Sequence, residues 1–127
     1  MLVLAAGVLA LAGCGAEQAA SQGASGVTGV VRLGPQCPVQ RVDHPCKDKP
    51  AAHVTVTVFE EVPGVTPAAG RVVARGTTES TGRYRVAVAP GDYVVTADAG
   101  MFCRLTVIHV TEDAYVRADI SCDTGIR

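Results

Sequence analysis

Apolar and polar residues alternate in short segments along most of this chain, and this alternation restricts its fold more than any other feature. Nineteen valines lie between residues 27 and 127, and no segment there places its apolar residues at a helical period. A two-residue period is typical of half-buried β-strands. Segments 78–82 and 89–92 place glycine where a tight reversal can need a positive φ, so both should join neighbouring strands. Residues 27–127 are therefore predicted to form one all-β domain.

Seven strands account for this pattern. They are predicted at residues 27–33, 52–59, 71–77, 83–88, 93–97, 102–110 and 115–122. The side chains expected to point inward from the second and fourth strands are Val54, Val56, Val58, Tyr84, Val86 and Val88. The two arginines of the fourth strand, Arg83 and Arg85, should point outward. Strands this short, with no helix between them, favour a seven-stranded antiparallel β-sandwich.

The N-terminal segment predicts export. Residues 1–13 are apolar and uncharged. They are fewer than the roughly 20 residues of a membrane-spanning helix but fit the apolar region of about 7 to 15 residues in a signal peptide. An N-terminal core helix is disfavoured because nothing after residue 14 continues it. No Lys or Arg precedes the apolar run, so we expect the natural start to lie upstream of Met1.

The apolar run ends in Leu11-Ala12-Gly13-Cys14, which resembles a bacterial lipobox. That resemblance implies that residues 1–13 are removed and that Cys14 carries a diacylglyceride, with palmitate among its acyl chains. The chain would then be a lipoprotein anchored at the extracytoplasmic face of the cell membrane. Two or more acyl chains hold a protein firmly to a bilayer, whereas a single chain binds only marginally.

Residues 14–26 are predicted to be the lipidated cysteine followed by a flexible tether. From residue 15 the sequence GAEQAASQGASG has no branched aliphatic and no aromatic side chain. Such a segment cannot bury enough apolar surface to offset the entropy of being ordered. A coil of this length spans about 20 Å, enough to hold a domain clear of lipid headgroups.

Four short pieces of the domain carry a family resemblance. They are residues 29–31 (GVV), 50–56 (PAAHVTV), 78–84 (TESTGRY) and 90–95 (PGDYVV). In their order and spacing they resemble the transthyretin-like, or carboxypeptidase regulatory-like, modules of secreted bacterial proteins, over most of residues 27–110. The resemblance implies a seven-stranded sandwich that serves as a non-catalytic accessory or binding module.

The loop between the first two strands, residues 34–50, departs from that family pattern. It contains Cys37, Cys46 and four prolines. Because proline lacks an N–H donor and fixes φ, we expect an ordered surface excursion that does not extend a sheet.

Cysteine pairing follows from the strand register. With Cys14 assigned to lipid, four cysteines remain, and two disulfides are expected in an exported domain. If the last hairpin has a four-residue loop at 111–114, Cys103 lies opposite Cys122 at a Cα separation of about 4.5 Å. Cys37 and Cys46 then bridge the proline-rich loop. The other opposing pairs in this register are His109 with Val116, Val107 with Ala118, and Leu105 with Ile120.

A metal site is the alternative for the proline-rich loop. Cys37, His44 and Cys46 offer two thiols and an imidazole as metal ligands, and Asp43 lies beside them in the sequence. Such a set would suit a metal-binding protein or a hydrolase. Their spacing differs from the C-x2-4-C knuckle of zinc sites, and cysteines outside the cytoplasm usually oxidise. A C-x-x-C redox motif is absent from the sequence. We therefore expect no metal and no cofactor.

Catalytic motifs are poorly represented. Asp123-Thr124-Gly125 spells the DTG of aspartic proteases, but that chemistry needs a second carboxylate and the chain has no second copy. A polar tail leaving the last strand is favoured instead. His44, His53 and His109 have no spacing that establishes a catalytic triad. We therefore predict no catalytic residue and expect a protein that is not an enzyme.

Acidic and aromatic side chains offer two further candidate sites. Carboxylates at strand ends and loops can bind calcium, although no D-x-D-x-D run occurs. These acids are Glu60, Glu61, Asp92, Glu112 and Asp113. Three aromatic residues could form a ligand platform, with core packing favoured for at least two of them: Phe59, Phe102 and Tyr115.

Charge and motifs together indicate a binding role. The formal net charge of −1 provides no basic field for nucleic acid. We expect a membrane-tethered structural or interaction module that binds an envelope protein or a glycan through loops 34–50 and 60–70. The alternatives are the metal protein or hydrolase described above and a small-ligand carrier, which would need an internal cavity.

Overall fold

The chain folds into two β-sheets in a computed structural model, which describes residues 23–39, 41–66 and 68–127. The predicted signal peptide, Cys14 and most of the predicted tether lie outside the described residues. The strands within the described part are β1 (Gly26–Gly34), β2 (Lys49–Pro50), β3 (Thr55–Val62), β4 (Ala68–Thr77), β5 (Arg83–Ala87), β6 (Gly91–Asp98), β7 (Phe102–Cys103), β8 (Thr106–Val110), β9 (Tyr115–Arg117) and β10 (Ile120–Asp123). The prediction of an all-β fold is confirmed.

The first sheet is built around β1. The first half of β1 pairs with β5 on one side and with β9 on the other. Its second half pairs with β2 and β10, and β7 adds to the far side of β10. The second sheet has the order β4-β3-β6-β8, and all its pairs are antiparallel.

The core lies between the two sheets and is made mainly of aliphatic side chains. Val27, Val31 and Ile120 from the first sheet meet Val56 and Val95 from the second, each at most 1% exposed. The inward orientation predicted for the second and fourth strands is confirmed, since the even-numbered side chains from 54 to 58 and from 84 to 88 all pack in this core. Alternation therefore identified the buried face of these strands correctly.

Two parts of the strand prediction are wrong, namely the number of strands and their uniformly antiparallel pairing. The predicted strands at 102–110 and 115–122 are each broken in two, and β2 lies in the loop where no strand was expected. Pro50 is tolerated in β2 because this strand is at the edge of the sheet, where a missing donor costs little. β9 and β10 run parallel to β1, which is possible because nearly the whole domain connects them.

The predicted last hairpin does not form, although its cysteine pair does. After β7 the chain leaves the first sheet at residues 104–105, and β8 pairs with β6 in the second sheet. The change of sheet reverses the buried face, so Ile108 is 5% exposed while Leu105 and Val107 are 48% and 52% exposed. Cys103 remains opposite Cys122 because β7 stays beside β10. The two Cα atoms are 3.9 Å apart and the sulfurs are bonded.

The folded domain begins earlier than the predicted boundary at residue 27. Ser25 is 2% exposed, and its hydroxyl donates to the carbonyl of Val88 at 2.7 Å. Gly26 lies in β1, where a Cβ atom would overlap the carbonyl of Val86 and the ring of Tyr115. Both residues looked like tether because small side chains are common in coil, but here they are small because the backbone is tightly covered.

Tyr84 joins β5 to the C-terminal strands through the core. Its side chain is 3% exposed, and its hydroxyl donates to the carbonyl of Ala118, between β9 and β10. Burial, and to a lesser degree the nearby charge of Asp119, raises the pKa of this hydroxyl well above its usual value. The hydroxyl therefore stays a donor throughout the physiological range.

We predict that Tyr84→Phe lowers the free energy of unfolding by about 1 to 3 kcal/mol, because the buried carbonyl of Ala118 loses its donor. Tyr93→Phe is the matched control, since the Tyr93 hydroxyl donates to Ala89 at a solvent-exposed position where water can replace it. Urea denaturation of both variants measures the difference. Equal losses in the two variants would contradict a structural role for the Tyr84 hydrogen bond.

Candidate functional site

The proline-rich loop is closed by a disulfide and carries exposed side chains. Cys37 and Cys46 are bonded, with their Cα atoms 6.0 Å apart. Val39 and Val42 are 69% and 102% exposed, so the loop adds no apolar core of its own. The other predicted binding loop, 60–70, is shorter than expected because β3 extends to Val62 and β4 begins at Ala68.

The structure does not assemble the alternative metal site in this loop. The Cys37–Cys46 bond leaves neither sulfur as a thiolate, and the His44 side chain is 81% exposed with Asp43 at 3.8 Å. Among the residues that the structure describes, no three His, Cys, Asp or Glu side chains come together as metal ligands.

The histidines and acids considered as catalytic groups are dispersed and have local partners. His109 lies opposite Asp92 rather than the predicted Val116, with its Nδ1 atom 2.6 Å from the carboxylate. His53 occupies an exposed turn with a φ of 56°. Asp123 ends β10, as predicted for a polar tail, and the Arg127 side chain donates to it. That hydrogen bond, with a second from the Gly125 N–H, holds the pKa of Asp123 below its usual range.

The acids considered for calcium are likewise separated. Glu60 is paired with Arg71 at 2.8 Å on the second sheet, and Asp92 is paired with a histidine. Glu112 and Asp113 lie in the turn between β8 and β9, beside Ser25. Glu61 on β3 lies opposite Ala69, and no three of these acids come together among the described residues.

The three aromatic residues do not form a platform, and the expected burial of at least two of them is wrong. Phe102 is 73% exposed, and Phe59 and Tyr115 are partly exposed on different sheets. Phe59 lies opposite both Val72 and Val94, and Val107 continues this row across the outward face of the second sheet. The row explains why Val94 is 1% exposed without belonging to the main core.

Four arginines share the outward face of the first sheet, and we call this surface the arginine face: Arg32, Arg83, Arg85 and Arg117. Arg85 and Arg117 flank Thr28 from β5 and β9, on the two sides of β1. Arg83 lies opposite Val30, and Arg32 follows two residues later on β1. Because alternate residues share a face, all four guanidinium groups project from one side of three adjacent strands.

Arg85 is held in place by an aromatic ring. Its Cζ atom lies 3.5 Å from the centre of the Tyr115 ring, within the range of a cation–π contact. The two residues come from β5 and β9, so the contact crosses β1 over Gly26, which has no side chain to obstruct it. The Tyr115 hydroxyl also donates to the carbonyl of Gly23 at 3.0 Å. This end of the arginine face is therefore the more ordered one.

Three of the four guanidinium groups lack a carboxylate partner. In the part of the chain that the structure describes, Arg117 is paired with Asp119 at 3.3 Å, whereas no ion pair includes Arg32, Arg83 or Arg85. Like charges on one sheet face repel each other unless an anion compensates them. Asp119, Asp48 and Glu79 border the same surface, so the four guanidinium groups lie near three carboxylates and the arginine face keeps a small excess of positive charge.

A shallow cleft of about 420 Å³ opens at the Arg32 end of this face. Its volume lies in the range of about 300 to 1,000 Å³ that is common for ligand sites. It is lined by Val30, Arg32, Asp48, Pro50, Glu79, Thr81 and Arg83. Arg83 also borders two smaller hollows that continue past Thr28 towards Arg85 and Arg117. Arg83 therefore borders all three of these depressions.

Asp119 connects the arginine face to the backbone of β1. Its Oδ1 atom accepts a hydrogen bond from the Val30 N–H at 2.9 Å. This carboxylate takes the place of a main-chain acceptor, because residues 118 and 119 between β9 and β10 are not in a strand. Its Oδ2 atom pairs with Arg117. One carboxylate therefore both holds β1 and neutralises one cation of the face.

Sequence reasoning found only half of this site. It placed Arg83 and Arg85 on the outside of a strand, but it had no signal that Arg32 and Arg117 join them. That convergence depends on β1 lying between β5 and β9, which follows from the parallel pairing that alternation cannot reveal.

Comparisons with known proteins give little further information. No protein-family model matches the chain, and no curated protein is detectably similar to it. Among solved structures, a 9R-lipoxygenase from Cyanothece PCC8801 aligns with a TM-score of 0.45 and 10% sequence identity. The aligned region covers 80% of this chain and 16% of the lipoxygenase chain. So distant a likeness has no bearing on what this chain does.

No helix in the described residues is long and apolar enough to cross a bilayer.

We predict that Asp119→Ala lowers the free energy of unfolding by about 0.5 to 1 kcal/mol, because the Val30 N–H exchanges a charged acceptor for water at a solvent-accessible position. Asp119→Asn should lower it by about half as much or less, since the amide oxygen still accepts. Thermal denaturation of the two variants makes the comparison. Equal destabilisation would show that the charge of Asp119, and not its hydrogen bond to β1, matters for stability.

Proposed function

We propose that this chain is a membrane-tethered, extracytoplasmic interaction module that binds an envelope component without catalysing a reaction. In this proposal Cys14 carries the lipid anchor and the residues after it keep the folded domain clear of the bilayer. The domain itself is a variant of the transthyretin-like sandwich, with β2 added and two of the seven strands divided. Its two disulfides suit an oxidising compartment outside the cytoplasm.

The observation that carries the proposal is the arginine face. A sheet face that presents three guanidinium groups without carboxylate partners is electrostatically complementary to an anionic partner. The sheet fixes the backbone positions of the four arginines, and contacts with Tyr115 and Asp119 already restrict the side chains of Arg85 and Arg117 before binding. Catalysis is not part of the proposal because the titratable side chains considered above are dispersed over both sheets and the loops.

The lipid anchor is tested by Cys14→Ser in the full chain, expressed in a bacterial host that processes lipoproteins. We expect the parent chain to fractionate with membranes and the variant to be released, because serine cannot form the thioether. Mass spectrometry of the N-terminal peptide checks for the acyl chains directly. Cys14→Ser chains that stay with membranes like the parent would contradict tethering by lipid.

The interaction role is tested with the full chain carrying Cys14→Ser, which separates binding from anchoring. We expect it to sediment with isolated, lipid-extracted envelopes of the bacterium that produces it, and to be released as salt screens the charges, since the Debye length falls to about 3 Å at 1 M. A chain that stays in the supernatant at low salt would contradict the proposed interaction module.

A further inference from the structure

We propose that the arginine face binds a linear acidic polysaccharide, with the carboxylates of successive uronic acid residues on Arg83 and Arg32. The inference rests on the proposed function and specifies its ligand. Arginine is suited to this task because its planar guanidinium group presents paired donors that match a carboxylate.

The spacing of the cations favours a chain-like anion over a single small one. Arg83 lies opposite Val30 on one side of β1, and Arg117 lies opposite Thr28 on the other side. The guanidinium groups are therefore distributed both along the strands and across β1. Arg83 lines the main cleft and two neighbouring hollows, and these hollows also include Arg85 and Arg117. A ligand with repeated carboxylates can contact several of these groups at once, whereas one small anion reaches only one or two.

The remaining groups of the cleft fit sugar hydroxyls and a sugar ring. Asp48 and Glu79 line the same cleft as the two arginines, and each carboxylate can accept hydrogen bonds from hydroxyl groups. Val30 and Pro50 provide apolar surface of the kind that packs against the C–H face of a pyranose ring. Carboxylates, hydroxyl donors and an apolar ring face occur together in a uronic acid residue.

An acidic polypeptide fits the same cleft less well. Asp48 and Glu79 need donors beside the bound carboxylates, and glutamate side chains supply no hydroxyl groups to these two acids, whereas each uronic acid residue carries hydroxyl groups next to its carboxylate. The mixture of charges at the cleft therefore selects for a ligand that carries both anionic groups and neutral donors.

The test measures binding of a fluorescently labelled galacturonate hexasaccharide to the full chain carrying Cys14→Ser. The fully methyl-esterified hexasaccharide is the matched ligand control, because it keeps the sugar chain and loses the charge. A glutamate hexapeptide is the second control. We expect binding of the acidic sugar at low salt and at least about ten-fold weaker binding of both controls, since each good charged contact contributes about one order of magnitude in affinity.

Protein variants locate the binding surface. Arg83→Gln and Arg32→Gln should each weaken binding of the acidic hexasaccharide by about ten-fold. Arg71→Gln removes the same charge from β4, where Arg71 is paired with Glu60 on the other sheet, and should leave affinity within about two-fold of the parent, because distant charges are screened. Both target side chains are exposed, and thermal denaturation checks that every variant remains folded.

The outcomes separate this inference from the function on which it rests. Equal binding of the glutamate peptide, equal loss in Arg71→Gln, or no binding of the acidic hexasaccharide by the parent chain would each overturn the inference. If envelope sedimentation persists in those cases, the interaction module stands and its ligand is of another class. If sedimentation is also absent, the proposed function is wrong as well.

Discussion

Strand β1 and its contact with Ala118 determine the arrangement of the rest of the domain. β1 forms hydrogen-bonded pairs with four other strands, two along each half of its length. On one side β1 pairs with β9 up to Thr28 and with β10 from Val31, and between these the carbonyl of Ala118 lies so close to Gly29 that no Cβ atom could be accommodated. The Ala118 N–H donates to Thr28 at 2.8 Å, and its carbonyl accepts the Tyr84 hydroxyl. A few polar contacts therefore fix the C-terminal strands beside β1.

The arginine face is a consequence of that arrangement. Because β1 lies between β5 and β9, arginines that are far apart in sequence project from one face of the sheet. Asp119 contributes both to the position of β1 and to the charge of the arginine face, since it accepts the Val30 N–H and pairs with Arg117. The same contacts that stabilise the central strand thus set how much positive charge the face retains. The disulfide between Cys103 and Cys122 holds the other end of this sheet, where β7 ends and the chain crosses to the second sheet.

Much of the local structure could be predicted from the sequence, but its assembly could not. Alternation identified the inward side chains of β3 and β5, since burial on one face imposes a two-residue period. It failed after Cys103, because the two residues that cross between the sheets reverse which side chains face the core, so Ile108 is buried and Val107 is not. The cysteine pair was correct because its own strands remain neighbours. Pairing across the sheet depends on long-range contacts that a local pattern does not encode.

For the candidate site, too, the orientation of side chains within a strand could be predicted from the sequence, but the pairing of strands could not. Outward positions for Arg83 and Arg85 could be read from the alternation, whereas the contributions of Arg32 and Arg117 required the position of β1. The small residues Ser25 and Gly26 were assigned to the flexible tether because of their composition. They are in fact buried in the folded domain. Composition cannot separate a flexible segment from one whose side chains are small because the backbone is closely packed.

We propose that the arginine face is the surface that binds an acidic partner. The most direct measurement is NMR of the arginine Nε–Hε groups during titration of the full chain carrying Cys14→Ser with the galacturonate hexasaccharide. The account predicts the largest shifts at Arg32 and Arg83, smaller shifts at Arg85 and Arg117, and almost none at Arg71, which is paired with Glu60 on the other sheet. Shifts of similar size at all arginines, or shifts concentrated on the second sheet, would contradict it.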